Sequence, residues 1–242
     1  MTHTGDAEGA EPTDAATELE ELIFEEFEVG SLLPSESALA ARLEVSRLTV
    51  REAIRSLQAR GIVEIRKGRR PRVTAPSGDQ VGDFFSTLLR FRPSSVFELL
   101  EVRHGLEVQT STLAASNAGS GDLSAMEYSI QAMTRATTSE EYHEADLRFH
   151  ELLARASGNR MLALLIEALA GSLRNSMIAS YRGHRSLGGS PEDAARQHRE
   201  VLERVRENDP TAAAAAMRKH LRTTERDLRA TFATPPPKEQ DE

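Results

Sequence analysis

From residue 81 onward the chain carries helix-starting and helix-stopping signals at such short intervals that only a set of packed helices can use them. Ser190-Pro191 and Asp209-Pro210 each place a capping residue before a proline at the first helical position. Asp122 follows Gly119, Ser120 and Gly121, and Ser157-Gly158-Asn159 separates two further apolar-periodic stretches. These signals predict helices over 81–90, 94–117, 122–136, 139–157, 159–181, 191–207 and 210–232. The alanine run at 212–217 lies inside the last of them, where alanine is a good helix former. Trp is absent and aromatic residues are only 5% of the chain, so the core must rest on Leu, Ala, Ile and Val. No internal repeat is visible.

The first third reads differently. A helix is predicted from Thr17 to Phe27, with Leu19, Leu22, Ile23 and Phe27 on one side. Ser35 can cap a second helix that turns Leu39, Ala40 and Leu43 inward, and Ser46 can cap a third, Arg47 to Arg60, with Val50, Ile54 and Leu57 buried. Gly61 sits where a helix ends. IVEIR, KGRR and PRVTA then read as strand, turn and return strand. The expected fold is mainly α, a winged helix-turn-helix followed by an antiparallel all-α bundle. The expected divisions are a disordered acidic tail at 1–16, the winged domain at 17–75, a linker at 76–80, the helical domain at 81–232 and a disordered tail at 233–242.

Charge is unevenly spread. Residues 1–30 hold ten acids and no Lys or Arg, whereas residues 31–74 hold ten bases against four acids, within a chain of net charge −8. A solvated face accounts for many such clusters, but a compact basic segment in an acidic chain points to a polyanion. Arg47, Arg51 and Arg55 recur every four residues and form a ridge beside the apolar stripe of the third helix. A helix of that kind can lie in the major groove of double-stranded DNA, where arginine grips guanine edges or phosphates. Thr49 can meet a thymine methyl or a phosphate. The hairpin adds Lys67, Arg69 and Arg70, and Gly68 at its tip lets backbone approach closely.

A quieter group lies further on. Asp146 and His150 are four apart on one predicted helix, and His198 and His220 sit on two later ones. Three imidazoles and a carboxylate suit a divalent metal ion, Zn²⁺ foremost, with Ni²⁺ or Mn²⁺ as alternatives. By spacing alone the signal is weak, because a helical histidine is more often a surface or core residue. His143 shares the face of Asp146 and His150 and is expected a turn away near solvent; His104 and His184 are expected at the surface.

Family resemblance sharpens both readings. The segment GSLLPSESALAARLEVSRLTVREAIRSLQARGIVEIRKGRRPRV resembles the DNA-binding domain of GntR-family transcription regulators, in its LPSE, VSRxTVREA and glycine-tipped hairpin. FELLEVRHGLEVQTSTLAA, ADLRFHELLARASGN and QHREVLERVRENDPTAAAAAMRKHL resemble FCD, the effector-binding domain of the FadR-type branch. The resemblance implies DNA contacts at Arg47, Arg51 and Gly68, a metal on Asp146, His150, His198 and His220, and a small organic acid beside the ion. Arg103 occupies the position expected to grip that acid, although an ion pair with Glu107 explains it equally. Arg174, Asn175 and Tyr181 are expected to line the cavity. The resemblance further implies a homodimer reading a pseudo-palindromic operator, most commonly as a repressor. Ser37 stands where the family usually has an arginine, so one DNA contact is missing or weakened.

No cysteine is present, which removes disulfide and thiolate chemistry. The polar opening residues are not a secretory signal and no apolar run is expected to reach the roughly 20 residues of a membrane span, so a cytoplasmic protein is expected. Two alternatives stay open at this stage: a regulator answering to a larger effector such as an acyl thioester, and a metal-dependent hydrolase.

Overall fold

The structure is a computed structural model that describes residues 12–75 and 77–233. The chain divides into two compact units, one ending at Gln80 and the other beginning at Val81.

In the first unit the helices are α1 (Pro12–Glu26), α2 (Glu36–Arg42) and α3 (Arg47–Ala59), followed by β1 (Val63–Glu64) and β2 (Arg72–Val73). Side-chain caps set the starts. Ser35 accepts from the Ala38 amide and Ser46 from the Thr49 amide, each satisfying a donor that the helix itself leaves free. The strands pair antiparallel, Val63 against Val73 and Glu64 against Arg72, and Leu32 bridges to Arg72 from the other side. Gly61 and Gly68 both take a φ of +74°, which fits them to end α3 and to turn the wing. Leu19, Ile23, Leu33, Leu39, Val50, Ile54, Leu57, Val63 and Val73 make the core. One expectation is corrected. The first helix starts at Pro12 rather than Thr17, and Ala15 and Ala16 are buried, because these small residues let α1 extend its apolar face over the core. The remainder of the expected N-terminal tail lies outside the described residues.

The second unit consists of α4 (Asp79–Phe91), which starts within the boundary segment, α5 (Ser95–Asn117), α6 (Ser120–Arg135), α7 (Ser139–Ala156), α8 (Arg160–Ser186), α9 (Pro191–Arg206) and α10 (Pro210–Ala233). From α5 on, connectors of two to four residues join the helices; α6 packs on α7, α7 on α8 and α9 on α10, while α10 also lies against α5 and α8, and α6 against α9. Capping boxes at Thr138–Glu141 and Ser190–Asp193 start α7 and α9; Asn159 caps α8, and Asp209 accepts from the Ala212 amide at the head of α10. α8 runs five residues beyond its expected end at Tyr181. Residues 234–242 of the expected C-terminal tail lie outside the described residues. One apolar cluster centres on Met126, Ile130, Met133, Phe149, Leu153, Val201, Leu202 and Met217, and a second on Leu99, Leu169, Leu173 and Leu228.

α8 also corrects the expectation about apolar runs. Its length and mean hydropathy are sufficient for a membrane crossing. In this fold it is a bundle helix: Ile166, Leu169, Leu173 and Met177 are buried, while Arg174 and Arg182 stand on its exposed side.

Candidate functional site

The first unit presents its bases outward. Arg47, Arg51 and Arg55 are exposed along α3, and Lys67, Gly68, Arg69 and Arg70 are exposed on the wing. Acidic partners sort these bases. Glu26 holds Arg42, Glu20 holds Arg60, Glu64 holds Arg66, and Glu36 takes Arg51 with Nε–Oε1 3.2 Å and Nη2–Oε2 2.8 Å. The hydrogen bonds from Arg51 hold the Glu36 carboxyl below the usual carboxylate range. Among the described residues, Arg47, Arg55, Lys67, Arg69, Arg70 and Arg72 make no side-chain ion pair. So the acids of α1 and α2 neutralise the flanks and leave a positive ridge on α3 and the wing. Thr49 is half-buried, its hydroxyl 2.8 Å from that of Ser46. The sequence reading passed over Leu48, which is 62% exposed on the same helix.

In the second unit four helix-borne residues converge. One ligand atom from each of Asp146, His150, His198 and His220 lies within 4.8 Å of the others. α7 supplies Asp146 and His150 one turn apart, α9 supplies His198 and α10 supplies His220. Phe149 sets its edge and face against the His150 and His198 rings, at centroid distances of 5.6 and 5.0 Å. The His198 Nδ1 donates to the Ala194 carbonyl at 3.0 Å, which directs Nε2 at the centre, 2.9 Å from Asp146 Oδ1. The His150 Nδ1 contacts Glu107, so its Nε2 also points inward, 3.8 Å from Asp146 Oδ1.

These contacts leave both Nε2 atoms buried without a hydrogen bond of proper alignment. A buried nitrogen lone pair without a donor is costly, and a cation at the centre would satisfy both. Protonation agrees with that fit. Burial, joined by the neighbouring His198 and His150 rings, holds the His220 pKa well below the ordinary imidazole value, so the ring keeps its lone pair. Behind His150 lies a relay of buried charge. Glu107 contacts His150 with one oxygen and Arg103 with the other. Burial opposes the Glu107 charge, yet Arg103 and His150 bring its pKa down to about 2.

With this geometry in view, comparison with known proteins is decisive. Residues 13–73 match the family of bacterial regulatory proteins called gntR, and residues 98–223 match the FCD domain. The chain belongs to the GntR family and carries an FCD domain. It is 30% identical to the Glc operon transcriptional activator of Escherichia coli K12 over 88% of this chain and 87% of the relative. It is 31% identical to the HTH-type transcriptional regulator LutR of Bacillus subtilis, over 83% of this chain and 92% of that one. The solved structure of a Streptococcus agalactiae GntR protein superposes with a TM-score of 0.68 at 29% identity, covering 89% of this chain and all of the other. The GntR-family chain is therefore a DNA-binding transcription regulator with an effector-binding domain, and not an enzyme.

The FCD domain of this regulator encloses a cavity of about 50 Å³ that opens onto Asp146 and His220. Of the expected effector residues, Tyr181 lines it, stacked on Tyr142 at 3.9 Å between ring centroids. The other three are corrected. Arg103 is buried behind the tetrad, tied to Glu107 and donating to Met177 Sδ at 2.8 Å, and does not line the cavity. Arg174 lies one turn short of the cavity and reaches out to Glu144 at 3.5 Å. Asn175 is rotated onto the exposed face of α8. Two histidines expected near solvent line the cavity instead. His143 is only 3% exposed, and His184 packs its Nδ1 2.9 Å from Asp227. Sequence spacing held a signal for them: His184 follows Tyr181 by three residues, and Asp227 follows His220 by seven, so each continues a face already assigned to the site.

Proposed function

We propose that this GntR-family protein is a homodimeric repressor whose hold on a pseudo-palindromic operator is controlled by a small organic acid bound at a divalent metal ion in the FCD domain. The observation that carries the reading is the buried tetrad with its two inward, unsatisfied imidazole nitrogens. Asp146, His150, His198 and His220 would hold the ion, Zn²⁺ by the borderline-soft N₃O donor set, with Ni²⁺ or Mn²⁺ able to use the same atoms. Bound there, the ion supplies a Lewis-acid site for a carboxylate oxygen. Glu107 orients the His150 ring, and the Ala194 carbonyl orients the His198 ring, so each presents Nε2. The small cavity favours a compact acid over an acyl thioester.

On DNA, Arg47, Arg51 and Arg55 enter the major groove while Lys67, Gly68, Arg69 and Arg70 follow the adjoining backbone. Thr49 contributes its methyl, since its hydroxyl is engaged by Ser46. A two-fold dimer sets two such units on the half-sites of one operator. The effector alters DNA affinity only through its unequal affinity for the two arrangements of the dimer. Repression is the direction named for one relative, the repressor NanR of Citrobacter rodentium, 29% identical. An operator-binding protein of this kind works in the cytoplasm.

The test has two arms. Elemental analysis of protein purified without a histidine tag is expected to find one divalent ion per chain, lost in His198→Ala; protein devoid of metal defeats the tetrad reading. Mobility shifts on the chain's own upstream DNA are expected for the wild type and to weaken in Arg47→Ala; equal behaviour of the two defeats the groove reading.

A further inference from the structure

The sequence of α4, DQVGDFFSTLLRF, puts large apolar residues on two faces of one 13-residue helix. One face is used. Phe85 and Leu89 pack against the apolar cluster of Leu99, Leu169, Leu173 and Leu228. On that side the Gly82 carbonyl accepts from the Ser172 hydroxyl at 2.9 Å. A Cβ at Gly82 would stand 3.2 Å from the Ala168 carbonyl oxygen, so α4 lies close on α8 and its inner side is fixed.

The other face meets little. Val81, Phe84, Leu88 and Phe91 recur at the alternating three- and four-residue spacing of an apolar seam between two helices. Val81 is 40% exposed, Phe84 65% and Phe91 83%, and no residue of α4 is buried. Single apolar residues at a surface are ordinary. Here two phenylalanines leave roughly 300 Å² of ring surface in water, on a helix already anchored from behind.

Charge selects the occupant. Asp83 and Arg90 stand exposed beside the seam, two turns and about 10 Å apart. Among the described residues, neither makes a side-chain ion pair. A second α4 laid antiparallel, turned about the Ser86–Thr87 step, sets Asp83 against Arg90 of the partner subunit and Arg90 against the partner subunit's Asp83. A parallel copy sets like charge on like. The helix dipole also favours an acid early and a base late in any helix, but it asks for no apolar stripe beside them.

We propose, building on the homodimer reading above, that α4 is the seam at which two copies of this chain pair. The two helices run antiparallel, the Phe84 and Phe91 rings of each close over the other, and two Asp83–Arg90 ion pairs set the direction.

Sedimentation of the full chain over a range of concentrations reads the dimer constant. Asp83→Arg and Arg90→Asp each turn two attractions into repulsions, and each is expected to weaken the dimer about tenfold or more. The double variant, or an equimolar mixture of the two single variants, restores both attractions. Either is expected to return the constant to within about threefold of wild type. Were the dipole the whole reason for the charge order, the double variant would be the worst of the three. Phe84→Ala is expected to weaken the dimer about tenfold or more, by removing a ring from the seam. A covalent readout guards against variants that misfold. The chain has no cysteine, so Thr87→Cys carries a single thiol at the middle of the exposed face. Mild oxidation is expected to join it to its counterpart across the two-fold axis. A monomeric wild type defeats the homodimer reading and this one with it. A wild-type dimer that ignores the single swaps, is not restored by the double swap, or gives no Thr87→Cys cross-link defeats the α4 seam alone.

Discussion

Glu36 on α2 grips the Arg51 fork on α3 with both carboxylate oxygens, so one of the three arginines proposed to enter the groove is pre-aimed by an acid that DNA would have to approach. The acid orients the guanidinium and also repels phosphate. Glu36→Gln removes the repulsion together with the orienting charge. Binding to random-sequence DNA is expected to tighten a few-fold, while the ratio of operator to random binding falls. Anisotropy titrations at two salt concentrations measure both quantities.

Arg47 and Arg70 are expected to fail in different ways. Arg47→Ala removes a donor at the groove, costing about 1–3 kcal/mol on the operator and little on random DNA. Arg70→Ala removes a wing charge, weakening every sequence alike and lowering the salt slope by about 1. If the two substitutions show the same dependence on sequence, the assignment of helix to bases and wing to backbone is wrong.

Glu107→Gln is expected to act on metal retention although the residue touches no proposed ligand of the ion except His150. It leaves the His150 ring without its charged anchor, and metal affinity is expected to drop about 10- to 100-fold. It also leaves Arg103 buried with its paired charge gone, a class of change that costs about 3–5 kcal/mol. Competition with a zinc chelator and a thermal melt of the metal-free protein read the two effects independently. Unchanged chelator competition refutes the relay.

Acid is expected to loosen the starts of α7 and α9 before the bundle melts. Hydrogen bonds from the Thr137 and Thr138 backbone and the Thr137 hydroxyl depress the pKa of Glu141, and those from Ser190 depress that of Asp193. Both folded values lie below the unfolded ones. The unfolded state therefore binds more protons near pH 4, and the stabilisation present above that range is lost as pH falls through it. Hydrogen exchange at the first turns of the two helices is expected to speed up below about pH 4. Glu141→Gln and Asp193→Asn should abolish that dependence.

Much of this was legible because caps are local. Ser35, Ser46, Ser190 and Asp209 announce helix starts through bonds to amides three residues on, and the structure makes those bonds. The tetrad was legible for a related reason: Asp146 and His150 share a face by spacing, and His198 and His220 follow the same pattern of family residues. What escaped depends on which helix covers which. His184 reads as a surface residue until α10 lays Asp227 beside it. Arg174 reads as a cavity residue until Glu144 draws it outward. The ambiguity of Arg103 resolved toward Glu107, four residues along the same helix, because two buried opposite charges at that distance hold each other more firmly than either holds solvent.

The stacked rings of Tyr142 and Tyr181 lie in the cavity wall, and the chain has three tyrosines and no tryptophan. Two of the three strongest near-ultraviolet chromophores are thus coupled face to face in the wall of the cavity proposed for the effector. Circular dichroism near 280 nm, which reports such coupling directly, is therefore expected to change when the proposed effector fills the cavity, an optical gauge of occupancy with no dye attached.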